Sequence, residues 1–138
     1  MLLSARPLND VANVNSFEYA DAVSWTEGDQ VTLYLQLIDA SLDTDTRGFY
    51  PAGRRYMPPA TSTLSVQIQN IDSSKVITRT ATQPFPEDAS IWSVTVLSTD
   101  LIHGSPQLLL TLTEPSKTIR GLVKNAVKIY STDNTSGC

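Results

Sequence analysis

Residues 30–37, QVTLYLQL, decide the fold. In an extended chain Val31, Leu33, Leu35 and Leu37 fall on one side and Thr32, Tyr34 and Gln36 on the other, because side chains alternate between the faces of a strand. A helix would scatter the same four apolar residues around its axis. The segment is therefore a strand with one face in a core and one half exposed, and the turn Glu27-Gly28-Asp29 leads into it.

Outward from this strand the same alternation recurs. Leu64, Val66 and Ile68 oppose Ser65, Gln67 and Gln69; residues 75–81 (KVITRTA) follow; and residues 91–97 (IWSVTVL) align Trp92, Val94 and Val96. Residues 107–113 (QLLLTLT) align Leu108, Leu110 and Leu112, and a long run over 118–130 ends in Val127 and Ile129. Upstream, residues 19–25 alternate Tyr19 and Asp21 with Ala20 and Ala22 and make a first strand. The best helical candidate, 119–130, holds Gly121 and the β-branched Val123, Val127 and Ile129, a composition that favours a strand. About seven strands with turns between most of them predict an all-β, immunoglobulin-like antiparallel β-sandwich. Trp92, in mid-strand, belongs to its core.

The 138 residues suit one domain with one core. Residues 1–18 mix Pro7 and Asn/Asp residues with scattered apolars, which reads as an extended N-terminal arm that orders on a partner. The sandwich is expected over 19–130 and a flexible tail over 131–138. Between two strands lies an overlong connection, 39–61 (DASLDTDTRGFYPAGRRYMPPAT). Loops of this length are usually functional or disordered, and this one is rich in Tyr, Arg and Pro.

A formal net charge of −4 argues against a general nucleic-acid binder. Charged residues are 17% of the chain, below the usual quarter or so, so part of the surface is expected to be covered by partners. Residues 1–46 are acidic and the remainder mildly basic; solvated faces explain this split, and so would head-to-tail docking of copies. The single cysteine, Cys138, allows neither an internal disulfide nor a thiolate cluster. The N-terminus lacks the apolar run of a signal peptide, and no stretch matches a membrane span, which predicts synthesis in a cytoplasm and no membrane association.

The residues that can carry chemistry are sparse. The one imidazole is His103, in a turn-like segment, so a nucleophile–base pair has a single possible base. Asp39, Asp43 and Asp45 could hold calcium weakly but lack the Asp-x-Asp-x-Asp-Gly loop and its bidentate Glu. Glu27, Asp29, Glu87 and Asp88 lie in turns, where acids collect without a catalytic reason. No phosphate-cradling glycine motif occurs. The reading is a non-enzyme with no catalytic residue, no cofactor and no metal. Arg54, Arg55, Tyr56 and Met57 are residue types enriched at interface cores; Tyr56 and Met57 fit equally a loop folded back over its own sandwich. Phe85, bracketed by Pro84 and Pro86, is either a core plug or a presented anchor.

Taken together, Gly28-Asp29-x-Val31-x-Leu33-x-Leu35, Arg54-Arg55-Tyr56-Met57-Pro58, Ala81-Thr82-Gln83-Pro84-Phe85-Pro86, Ser90-Ile91-Trp92 and residues 108–114 (LLLTLTE) resemble small structural proteins of tailed bacteriophages. The Gly-Asp-led strand and the run from Gly104 to Leu112 are similar to the immunoglobulin-like N-terminal domain of phage baseplate upper proteins. The resemblance spans about residues 28–130 and departs from that family in the 39–61 insertion and in lacking its downstream domains. It implies a virion subunit in capsid decoration, neck or connector, or tail or baseplate, made in the host cytoplasm. Such a subunit assembles as a homo-oligomer with other copies of itself and other virion proteins, without direct contact with nucleic acid. The expected interface residues are Leu2, Leu3, Leu8, Tyr50, Arg54, Arg55, Tyr56, Met57 and Phe85, on the arm, the long loop and the Pro-bracketed turn. The alternative is a carbohydrate-binding sandwich with Trp25, Tyr34, Tyr50 or Tyr56 as sugar platforms.

Overall fold

The alternating run that begins at Val31 continues two residues further than the sequence suggests, to form β4 (Val31–Asp39). In the computed structural model, which describes residues 2–13, 16–19, 22–41, 54–70, 75–97, 99–100 and 104–131, β4 is the centre of the first of two antiparallel sheets. One edge of β4 pairs with β1 (Leu3–Asn13), from Leu3 opposite Asp39 to Leu8 opposite Tyr34. Its other edge is shared end to end by β8 (Ile91–Val96) and the short β5 (Arg54–Arg55). β2 (Ser16–Tyr19) pairs with the outer side of β1.

The second sheet follows the order β10 (Thr118–Val123), β9 (Gln107–Thr113), β6 (Thr63–Asn70), β7 (Lys75–Ala81). A parallel pair, β3 (Val23–Thr26) with β11 (Val127–Tyr130), closes one side. The described residues contain no helix. The fold is the all-β sandwich that the alternation predicts. Leu33, Leu35, Leu37, Trp92 and Val94 of the first sheet and Leu64, Val66, Ile68, Leu108, Leu110 and Leu112 of the second join a single buried cluster, with Val23, Val127 and Ile129 at its side.

Three expectations need correction. The described residues of 1–18 are not a free arm: residues 3–8 pair with β4 and the later part of the strand pairs with β2, because Leu3, Ala5 and Leu8 find buried positions within the chain itself. The strand expected over 19–25 divides into β2 and β3. The long run over 118–130 divides into β10 and β11, where Asn125 takes a left-handed conformation with φ 62° that turns the chain. The long connection also contributes β5. Residues 42–53 of that loop and 132–138 of the expected tail lie outside the described residues.

Several contacts join the layers at their edges, the bridge between Thr82 and Ser93 among them, and two more involve Gly121 and Arg79. β1 crosses the inner face of β10 so closely that a Cβ at Gly121 would overlap the Leu3 carbonyl oxygen and sit 2.8 Å from its carbon. Only glycine admits this approach. At the opposite edge of the second sheet, Arg79 of β7 lies on the core side, opposite Val66. Its guanidinium donates to both carboxylate oxygens of the buried Asp100, at 2.8 and 2.6 Å, and that charge-assisted fork raises the Arg79 pKa. An inward charge on an edge strand also discourages a further strand from adding there.

Candidate assembly surface

The sequence-derived interface residues separate into three groups. Leu3, 2% exposed, is spent on the core between the sheets, and Leu8, 3% exposed, is buried on the outer side of the first sheet, opposite Tyr34. Tyr50 lies outside the described residues. The others gather at the end of the first sheet where β1, β4 and β5 meet. The Leu2 amide donates to Asp39 Oδ1 at 3.1 Å, and the Ala40 amide donates to the Leu2 carbonyl at 2.8 Å. In the β4–β5 register the backbone of Arg54 lies opposite Asp39. The Ser41 hydroxyl and amide also donate to Asp39 Oδ1, and chiefly the hydroxyl bond holds the Asp39 carboxyl below the usual carboxylate range. Asp39 is thus a local organiser of this corner, and Leu2 (58%) and Met57 (56%) stand exposed from it.

Tyr56 folds back toward the sandwich. Its amide donates to the Leu37 carbonyl, and its hydroxyl donates to Glu114 Oε2. Burial, reinforced by the adjacent Glu114 carboxylate, pushes the Tyr56 phenol up to about 12. Arg55 reaches Asp88 Oδ2 at 3.5 Å. Asp88 Oδ1 in turn accepts the Ser90 hydroxyl at 2.5 Å and the Ser90 amide at 3.0 Å, and Ser90 Oγ accepts from Gln36 Nε2 at 3.3 Å. This buried chain fastens the turn containing half-buried Phe85 to β4. Its hydroxyl is fully enclosed and its proton engaged by a carboxylate, so the geometry holds the turn in place and offers no substrate access.

Of the other chemical candidates, some stand in described turns and some lie outside the described residues. Asp29 Oδ2 accepts the Thr26 amide at 3.0 Å and closes the β3–β4 turn. Glu87 is exposed in its turn. His103, Asp43 and Asp45 lie outside the described residues. Among the described residues no three His, Cys, Asp or Glu side chains group as metal ligands. Trp25 is packed in part against the core, as is Tyr56, whose hydroxyl is occupied; Tyr34 is half-buried on the outer side of β4.

The feature the sequence reading passed over is the outer face of the second sheet. Directly opposed residues of neighbouring strands share a face, and the registers define four rows. These are Thr118–Thr113–Thr63, Arg120–Thr111–Ser65–Thr80, Leu122–Leu109–Gln67–Thr78 and Gln107–Gln69–Val76. Every one of these positions is exposed or half-exposed. Arg120 is the only charged residue and there is no acid. Gln69 Nε2 donates to Gln67 Oε1 at 2.7 Å, so the amides already align along β6. Threonine has a high strand propensity, which accounts for some of this composition. It accounts for neither the three glutamines nor the missing Lys and Glu of a solvated face. Each strand's core-facing leucines, valines and isoleucines imply this complementary set, so the signal was present as the residues between them.

No protein-family model matches the chain, and no curated protein is significantly similar to it.

Proposed function

We propose that the chain is a non-enzymatic structural subunit of a bacteriophage particle, in capsid decoration, neck or connector, or tail or baseplate, built on an immunoglobulin-like sandwich and made in the host cytoplasm. The observation that carries the assembly part is the outer face of the second sheet, where the described residues include no acid and a single charge, Arg120. A chain of net charge −4 whose described residues keep every acid off one sheet face has a surface suited to contact rather than to solvent. The corner where Leu2, Arg54, Arg55 and Met57 gather offers a smaller second contact to other virion proteins. The phage part rests on the resemblance of the strand and turn motifs between Gly28 and Tyr130.

The test is density-gradient separation of the source lysate, with peptide mass spectrometry for this chain in each fraction. Recovery with full particles and empty shells supports a head location, and recovery with free tails supports tail or baseplate. Recovery only among soluble proteins overturns the proposal.

A further inference from the structure

We infer that the outer face of the β10-β9-β6-β7 sheet pairs with the same face of a second copy of this chain, sheet against sheet about a two-fold axis. The inference deepens the reading of that face as a contact surface and does not depend on the phage assignment.

The argument for a second copy is one of complementarity. Two copies of an acidic protein repel wherever their acids meet, and the described residues of this face include none. Its residues are mostly Thr, Ser and Gln, whose hydroxyls and amides both donate and accept, so the face can satisfy its own hydrogen bonds when laid on itself. Leu109, Leu122 and Val76 add apolar contacts, the last two 44% and 52% exposed. The position of Arg120 selects the axis. A two-fold along the strands lays β10 of one copy over β7 of the other, so the two arginines sit at opposite edges, about 14 Å apart across three strand spacings. That exceeds the screening length of about 8 Å at physiological salt. It also places each guanidinium over the hydroxyls of Thr78 and Thr80.

Size sets the expected strength. Four strands about 4.8 Å apart and seven residues long at about 3.4 Å give a footprint of about 450 Å² per copy. A pair would bury about 900 Å², below the standard interface and in the range of weak, reversible contacts. Pairing is therefore concentration-dependent in the free protein.

The experiment is sedimentation velocity on the full chain from about 10 µM to about 1 mM, which spans Kd values from micromolar to millimolar. The wild type should pass from monomer to dimer within that range. Gln67→Glu with Thr111→Glu puts like charges at the centre of the contact and should hold the protein monomeric throughout, with an unchanged circular dichroism spectrum. Thr95→Glu, on the other sheet, should dimerise as the wild type does. Should the double variant fold poorly, Gln67→Glu and Gln67→Lys chains are mixed: each alone pairs at least tenfold more weakly than the wild type, and the mixture pairs again. A wild type that is monomeric at every concentration, or dimers indifferent to these charges, overturns the inference. A monomer recovered in particles leaves the structural-subunit reading standing without this contact, and a dimer recovered only among soluble proteins does the reverse.

Discussion

Replacing Gly121 by alanine tests how the two layers are joined. The new methyl would lie 2.8 Å from the Leu3 carbonyl carbon and overlap its oxygen. Carbon atoms pack best at about 3.5–4.0 Å, so β1 must withdraw by about 1 Å. Overpacking of this kind costs about 1–3 kcal/mol. If Leu3 also leaves the core, its lost burial adds a further 1.5–3 kcal/mol or so. The expected loss is about 1–3 kcal/mol if Leu3 stays in place and about 2.5–6 kcal/mol if it leaves, read as a fall in the urea midpoint. In a domain of this size about 3 kcal/mol is roughly 10 °C in Tm. The sign of the effect depends on β1. In a chain lacking residues 1–4 the obstruction is gone, and alanine should be favoured over glycine by about 0.5–1 kcal/mol, as in an ordinary strand. A full-length Gly121→Ala protein within about 0.5 kcal/mol of wild type would refute the close approach. So would an equal penalty in the shortened chain.

Three further outcomes follow from local geometry. The Tyr56 phenol, pushed up to about 12, keeps its proton in the folded protein where the unfolded chain, with a pKa near 10, loses it. Stability should therefore fall as pH rises from about 10 to about 12, and Tyr56→Phe should flatten that slope in urea titrations. Thr61 holds a φ of 69°, an unfavourable conformation for a β-branched residue; Thr61→Gly should raise stability by about 0.5–1 kcal/mol, and a lower thermal midpoint would contradict the strain. Ser90→Ala removes the hydroxyl between Asp88 and Gln36 and should cost about 1–3 kcal/mol; a value near zero in denaturant titration would mean that the turn is held without it.

Strands with one buried face were legible because alternation and burial share a period. Residues 75–81 and 107–113 are β7 and β9 with the bounds that the pattern gives. The N-terminal strand was not legible. Pro7 and the Asn/Asp residues of 1–18 look like loop chemistry, and only tertiary pairing with β4 makes Leu3 a core residue and buries Leu8. Gly121 carried a signal, since glycine inside a strand marks a bulge or a close backbone approach, but the partner was Leu3, far away in sequence. Asp39 and Asp88 read as turn acids, and their roles depend on Leu2, Ser41, Arg55 and Ser90 arriving from other elements. The acid-free face was invisible for a different reason. It belongs to no single strand, and only the registers of β10, β9, β6 and β7 bring its rows side by side.

The parallel pairing of Val23 with Val127 and of Thr26 with Tyr130 imposes an order on biosynthesis. A ribosome delivers the early strand long before its neighbour exists, so β3 must wait with its backbone groups unpaired until nearly all of the described chain has emerged. Pairings so distant in sequence carry a large loop-closure cost and form slowly. Nascent chains crowded on one messenger would then expose this edge to each other until β11 emerges to cover it.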